Sequence, residues 1–309
     1  MQNAKLQSIP QNFKRIKKEL PGIQKNISLA KYATFRIGGP AKYFFSAEKK
    51  EDIIRSISVA KKFNLPFFIL GGGSNILVSD QGFNGLIIKA QNAEYKILNT
   101  KIAAEAGTMM SQLVNVTVSS GLSGLEWAAG IPGTIGGAVY GNAGAFGESM
   151  EGVVKEVEVL DIKTERIKKL KNKDCKFGYR DSVFKKNPRL IILSVLLKFK
   201  EGNKKAIKEK IKDYLNCREE KQPLNFPSAG SVFRNPVDFS AGELIERCGL
   251  KGKRVGNVKI SEKHANFIVN LGKGRAKDVI KLIKLIKKEV KKKFGKSLEE
   301  EIQFLGFEN

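Results

Sequence analysis

Apolar residues recur along this chain at two spacings, which divide it into helices and strands. Over 51–63, Ile53, Ile54, Ile57 and Ala60 fall at helical intervals. Asn64 ends that pattern just before an apolar run at 65–70, which predicts a strand. Short runs at 85–90, 95–98 and 102–106 predict further strands, and 108–120 predicts a helix. Segments 153–161 and 166–170 read as a hairpin, and 190–200 as one long strand. Residues 1–30 form a polar, lysine-rich lead-in with one short helix at 13–20. The unit is α+β, with no clean βαβ alternation expected.

The pattern changes after residue 200. A lysine-rich amphipathic helix at 202–221 predicts a domain boundary, dividing the chain into 1–200 and 201–309. The second unit is shorter. It is predicted to hold a loop around 228–231, a helix at 241–248 and a strand at 265–270. A basic helix at 275–294 and a final strand at 298–305 follow.

Two segments fit neither spacing. From 121 to 147, nine of 27 residues are glycine, and Glu126 is the only charge. Ordered glycine costs backbone entropy, so such density implies positive φ angles or backbone lying flat against a ligand. The second segment is Gly71-Gly72-Gly73-Ser74-Asn75, between LPFFIL and Ile76-Leu-Val. Successive N–H groups in such a turn form an anion nest suited to a pyrophosphate. The candidate cofactor contacts are Gly71, Gly72, Gly73, Ser74, Asn75 and Ile76. From the second loop they are Ile131, Pro132, Gly133, Gly137, Asn142 and Gly144. A membrane span over 128–147 is rejected, because seven glycines, Pro132 and Asn142 leave its hydrophobicity too low. A flexible linker is the other alternative; such linkers are serine-rich and lack Trp127, Ile131, Ile135, Val139 and Phe146.

Charge adds one question. Lysine and arginine total 56 against 31 acidic residues, a net charge of +25. Eleven basic residues lie between 273 and 296. Val279, Leu282, Ile283, Ile286 and Val290 recur there at helical spacing. Lys277, Lys281, Lys284, Lys288 and Lys291 therefore fall on the opposite face, read first as solvated and second as a nucleic-acid patch. No nucleic-acid module signature supports the second, so no nucleic-acid partner and no membrane insertion are expected. The lead-in lacks a signal-peptide pattern, and a cytoplasmic location is expected.

Other chemistries drop out. The position a P-loop needs as glycine before Gly295-Lys296-Ser297 is Val290. Gly272-Lys273-Gly274 is followed by Lys277 where a dinucleotide fingerprint needs a small residue. His264 is the sole histidine, which removes serine-histidine catalysis and multi-histidine metal sites. Cys175, Cys217 and Cys248 are too scattered for a disulfide framework or a zinc site. No metal is expected.

Several motifs occur together: ATFRIGG (33–39), LGGGSNILV (70–78), GLEWAAGIPGTIGGAVYGNAGAFG (124–147), FGYRDSVFK (177–185), KQP (221–223), SAGSVFRNP (228–236) and EEIQFLG (300–306). In order and spacing the chain resembles the UDP-N-acetylenolpyruvoylglucosamine reductase family over nearly its whole length. The resemblance implies an FAD-binding domain of the vanillyl-alcohol oxidase type, then a smaller α+β substrate-binding domain. Its last strand returns to the active site.

The resemblance also implies a reaction. NADPH reduces non-covalent FAD, which passes hydride to the enolpyruvyl methylene carbon of UDP-N-acetylglucosamine enolpyruvate; a proton then adds at the neighbouring carbon, giving UDP-N-acetylmuramate for bacterial peptidoglycan. Such chemistry needs a cation on the carboxylate, a proton donor and a polarising group. By motif these are Arg180, Ser231 and Glu301. A one-residue slip selects Glu300 in place of Glu301. Lys221 and Asn235 match substrate-contacting positions, and Tyr179 is a candidate sugar contact. Arg234 stands where lysine is frequent. The segment 235–264 is too short for the extra tyrosine loop of one branch, so the chain resembles the loop-less branch.

Each assignment has a plainer alternative. Arg180 and Asp181 read equally as a surface ion pair, Ser231 as a helix cap, and Glu299–Glu301 as a solvated run. Two other functions compete: another FAD-dependent oxidoreductase of the same fold, acting on a hydroxy acid or sugar, and a basic nucleic-acid-binding protein without cofactor.

Overall fold

A computed structural model describes residues 8–307. The first seven residues of the lead-in lie outside the described residues. The rest of the lead-in is more ordered than its polarity suggests. Helix Ser8–Glu19 buries Ile16 and is followed by strand Gln24–Ser28. That strand, QKNIS, is almost wholly exposed because it is a sheet edge, so no apolar alternation marks it.

The first sheet runs Gln24–Ser28, Pro40–Ala47, Phe83–Ala90, Phe67–Leu70. Its last three strands are parallel. Pro40–Ala47 leads through helix Lys50–Lys62 to Phe67–Leu70, which is one βαβ crossover. This single crossover is not a clean βαβ alternation, because the other two large sheets are antiparallel. Its first strand, PAKYFFSA, starts at proline behind Gly38-Gly39 and carries turn signals that hide it.

The second sheet is antiparallel: Arg166–Lys171, Val154–Asp161, Leu190–Lys198, Lys101–Glu105, Tyr95–Leu98. Its predicted hairpin closes at Asp161 opposite Arg166. Helices Met110–Ser120 and Ile135–Tyr140 share its core, around the fully buried Trp127 and Phe184. Helix Lys204–Lys221 packs there too. Arg218 Nε and Nη2 donate to the carbonyls of Ala129 and Trp127 at 2.8 and 3.0 Å.

The third sheet is Ser228–Ser231, Phe267–Asn270, Val258–Ile260, Arg254–Val255. Helix Ala276–Phe294 buries Val279, Leu282, Ile283, Ile286 and Val290, and leaves Lys277, Lys281, Lys284, Lys288 and Lys291 exposed. The final strand is shorter than predicted, Gln303–Leu305 in place of 298–305. Upstream of it there is only a single bridge, between Phe233 and Glu300.

The third sheet is tied to the first region at four points. Thr34 Oγ1 donates to the Ser228 carbonyl at 2.7 Å. Asn270 Nδ2 donates to the Phe35 carbonyl at 3.0 Å. The Asp80 carboxylate accepts from the Ala276 and Lys277 N–H groups at 2.8 and 3.1 Å, capping a helix that lacks a cap of its own. Gln303–Leu305 pairs in parallel with Ile76–Val78, directly after the glycine turn. Gly306 closes this seam at φ +77°, where a Cβ would lie 1.8 Å from the Gly82 carbonyl oxygen. Among the described residues, no helix is long and apolar enough to cross a membrane.

Candidate active site

The two glycine segments, far apart in sequence, pack backbone to backbone. A Cβ on Gly72 would meet the Gly133 Cα at 2.4 Å, and Ser74 Oγ donates to the Pro132 carbonyl at 3.0 Å. Gly73 adopts φ +65° against the Tyr32 carbonyl. Lys89 Nζ holds the Gly71 carbonyl at 2.6 Å, and burial pulls its ammonium below the usual lysine range. The N–H groups of Gly72, Gly73, Ser74 and Asn75 meet no acceptor among the described residues, although Gly73 is buried. Buried donors are normally paired, so this row suits an anionic group such as a pyrophosphate.

The second segment is partly helical, not a bare loop. Thr134 caps helix Ile135–Tyr140 by accepting from the Gly137 N–H. Asn142 faces the protein. Its Nδ2 donates to the Gly178 carbonyl at 2.9 Å, and its Oδ1 accepts from the Glu151 N–H at 3.0 Å. The Gly144 carbonyl accepts from Arg180 Nη2 at 2.8 Å. Asn142 and Gly144 therefore carry the position of the neighbouring 178–181 turn.

In that turn, Gly178 and Asp181 exchange both backbone hydrogen bonds, at 3.0 and 3.1 Å, leaving Tyr179 and Arg180 at the tip. Arg180 is held at φ +54°, uncommon for a non-glycine residue. Its Nε lies 2.8 Å from Glu301 Oε1. Glu300 turns away to Lys287, at 2.8 Å, so the carboxylate that meets Arg180 is Glu301. Burial pushes the Glu301 carboxyl above the usual carboxylate range, against the pull of Arg180, Lys185 and Arg234. Asn75 Nδ2 donates to the Glu301 carbonyl at 3.2 Å, joining this ion pair to the glycine turn.

An anion cradle thus adjoins a half-buried arginine–carboxylate pair. Residues 222–305 match the family model described as UDP-N-acetylenolpyruvoylglucosamine reductase, C-terminal domain, and residues 41–171 match an FAD binding domain. A UDP-N-acetylenolpyruvoylglucosamine reductase from Caldanaerobacter subterraneus subsp. tengcongensis is 43% identical over 282 residues, covering 91% of this chain and 93% of its own. One from Caldicellulosiruptor saccharolyticus is 45% identical over 285 residues, 91% of each chain. The crystal structure of UDP-N-acetylenolpyruvylglucosamine reductase from Thermus caldophilus aligns with a TM-score of 0.79 at 35% identity, covering 92% of this chain and 99% of that one. The chain belongs to the UDP-N-acetylenolpyruvoylglucosamine reductase family. It is an FAD-dependent oxidoreductase with an FAD-binding domain and a smaller C-terminal domain.

The remaining reductase motifs place their residues as follows. Ser231 is half-buried at the end of strand Ser228–Ser231, and the next residue, Val232, accepts from the Glu301 N–H at 2.8 Å. Tyr179 is 57% exposed, under the Arg180 guanidinium, and its hydroxyl accepts from the Asn235 N–H at 3.3 Å. Asn235 Oδ1 is engaged by the Ala241 N–H at 3.0 Å. Lys221 is exposed at the end of its helix. Beyond it lies a cavity of about 440 Å³, lined in part by Pro223, Leu224, Phe226 and Val269 and not reaching Arg180, Ser231 or Glu301.

Two cations of the site were given no role from the sequence. Lys185 Nζ donates to the Arg180 carbonyl at 3.0 Å, and Arg234 acts on both Lys185 and Glu301. The signal was present, as Lys185 ends the FGYRDSVFK motif and Arg234 lies within SAGSVFRNP. His264 lies away from the cradle, against Phe267 and the Asn266 N–H, and burial lowers its imidazole below the usual range. No group of three metal-binding side chains occurs among the described residues.

Proposed function

We propose that this chain uses NADPH to reduce the enolpyruvyl group of UDP-N-acetylglucosamine enolpyruvate, yielding UDP-N-acetylmuramate. The observation that carries this reading is the Arg180–Glu301 pair, held at 2.8 Å and joined through Asn75 to the glycine turn. The N–H groups of residues 72–75 and the 131–134 backbone would hold FAD, without a covalent bond. Bound FAD supplies the hydride. Arg180 binds the substrate carboxylate, its fork adding a second cation-assisted contact to those it makes with Glu301 and Gly144. Hydride arriving at the methylene carbon drives the double-bond electrons toward that carboxylate, where Arg180 stabilises them. Ser231 gives its proton to the adjoining carbon, and Glu301 polarises the substrate. Lys221 contacts the substrate diphosphate, Asn235 a substrate or flavin group, and Tyr179 the sugar.

The fold of the first domain is proposed to be of the vanillyl-alcohol oxidase type, with the chain divided near residue 200. A nucleotide-linked substrate and NADPH suit a cytoplasmic enzyme. The test is direct. Purified protein should be yellow, release its flavin on denaturation and filtration, and oxidise NADPH only when UDP-N-acetylglucosamine enolpyruvate is added. A colourless protein that FAD cannot reconstitute, or NADPH oxidation indifferent to that substrate, would remove the reading.

A further inference from the structure

The site carries more positive charge than Arg180, Ser231 and Glu301 account for. Lys185, on the short helix Val183–Lys186, is half-buried with its Nζ on the Arg180 carbonyl. Arg234 leaves the strand Ser228–Ser231 and donates its backbone N–H to the Glu299 carbonyl at 2.9 Å. Its Nε is buried and meets no acceptor among the described residues. A buried guanidinium N–H without an acceptor is costly, so a use for this charge is implied.

Arg180 pairs with Glu301 at 2.8 Å, Lys185 Nζ sits on the Arg180 carbonyl, and the charges of Lys185, on the short helix, and Arg234, at the strand exit, also act on the Glu301 carboxyl. The neighbouring acids are paired elsewhere or turned outward, although the charge of Asp181 also acts on Lys185 and Arg234. Asp181 binds Lys186, Glu300 binds Lys287, and Glu299 is exposed. With Glu301 ionised, the cluster has an excess of two positive charges. One is neutralised by a substrate carboxylate. The other remains until a further negative charge develops.

We propose that Lys185 and Arg234 are positioning residues for the reductive step. They keep Glu301 ionised beside the substrate carboxylate, and their charges come into balance only as the hydride-derived electron pair reaches that carboxylate. This rests on the reading of Arg180 and Glu301 given above. Charge placed in advance where it will be neutralised in the transition state costs no reorganisation when the reaction occurs. It also opposes the protonation of Glu301 that burial favours.

The experiment separates the two half-reactions by rapid mixing, across pH, in Arg234→Gln, Arg234→Lys, Lys185→Gln and Arg180→Gln. Flavin reduction by NADPH should stay close to the parent in the Arg234 and Lys185 variants. Reoxidation by UDP-N-acetylglucosamine enolpyruvate should slow about tenfold or more in Arg234→Gln and Lys185→Gln. The acid limb of the reoxidation profile should move to higher pH in both, because Glu301 loses a cation that opposes its protonation. Arg234→Lys should restore rate and limb. Equal slowing of both half-reactions, an unmoved limb, or no rescue by lysine overturns the proposal. Lys185 and Arg234 lie on separate elements, so a folding defect in one variant leaves the other to decide. If Arg180→Gln also spares reoxidation, the site reading itself fails. If it alone abolishes reoxidation, only this inference fails.

Discussion

The side-chain amide of Asn75 donates to the backbone carbonyl of Glu301 across 3.2 Å, linking residues 226 positions apart in the chain. The Asn75 carbonyl accepts in return from the Gln303 N–H at 2.9 Å. One residue thereby ends the glycine turn and sets the depth of the carboxylate that meets Arg180. The cofactor cradle and the polar centre cannot drift independently.

Asn75→Ala removes the first of these bonds and keeps the second. The expected loss is about 1 kcal/mol of stability, the net worth of one hydrogen bond. Turnover should fall several-fold while flavin content stays at the parent level, because the cradle donors are backbone N–H groups. Flavin absorbance and steady-state rate, measured on the same sample, check this. A variant that loses flavin but keeps its rate per bound flavin would assign Asn75 to the cofactor instead.

The sequence marked the parts of the site made of unusual residue types. Glycine density pointed to both glycine segments, and YRDS and AGS pointed to Arg180 and Ser231 as candidates. It did not reveal relationships carried by ordinary residues. Thr34 and Asn270 tie the third sheet to the first region through single hydrogen bonds to carbonyls, and no spacing rule announces such contacts. Asp80 reads as a loop acid until it is seen capping a helix about two hundred residues away. Asn142 sits inside the glycine loop and reads as a cofactor contact; its amide joins two other segments, donating to the Gly178 carbonyl and accepting from the Glu151 N–H. The Glu300–Glu301 ambiguity belonged to a charge run without periodicity. In the structure Glu300 pairs with Lys287 and Glu301 with Arg180.

Ser231→Ala should leave flavin reduction by NADPH nearly unchanged and cut turnover by about 10²–10⁴-fold, the usual worth of a general acid. In the proposed reaction the serine acts only when the carbon is protonated, after hydride transfer. Rapid-mixing kinetics of the two half-reactions measure this. Equal slowing of both would make Ser231 a structural residue of its strand.

Arg180→Lys should behave as a severe change. The guanidinium reaches Glu301 through Nε and the Gly144 carbonyl through Nη2 at once, each at 2.8 Å. A single ammonium cannot reproduce that fork. The carboxylate gains charge as hydride arrives, so kcat should fall along with affinity. Wild-type kcat with a raised KM would reduce Arg180 to a ground-state anchor.

Glu301→Gln should separate stability from activity. Burial raises the carboxyl above its ordinary value of 4.5 in the folded chain. The folded state therefore holds this proton more tightly than the unfolded state does. As pH rises from about 4.5 through the raised folded value, unfolding releases the proton and stability is lost. At neutral pH the ionised carboxylate is a cost to folding that glutamine does not carry. The variant should unfold at the same temperature as the parent or higher near pH 7, with the advantage vanishing toward pH 4, while turnover collapses. Thermal melts across that range decide it. A melting temperature that falls at pH 7 and recovers in acid would show that the ion pair with Arg180 outweighs burial.

The lysine face of helix Ala276–Phe294 offers the last prediction. Lys281, Lys284, Lys288 and Lys291 are exposed, and the contact of Lys281 with Asp278, at 3.7 Å, is of a kind worth little in water. Replacing all four with glutamine should leave the melting temperature nearly unchanged. Their field is another matter. A substrate carrying a diphosphate and a carboxylate is drawn toward a chain of net charge +25, and steering of this sort raises capture rates. Screening sets in beyond a Debye length of about 10 Å at 0.1 M salt. The parent should therefore lose kcat/KM as ionic strength rises, with kcat flat. The fourfold variant should start lower and respond less to salt. If the wild type instead binds RNA or DNA tightly in low salt, and the variant loses that binding with reductase activity intact, the lysines serve a nucleic-acid partner and the steering account is wrong.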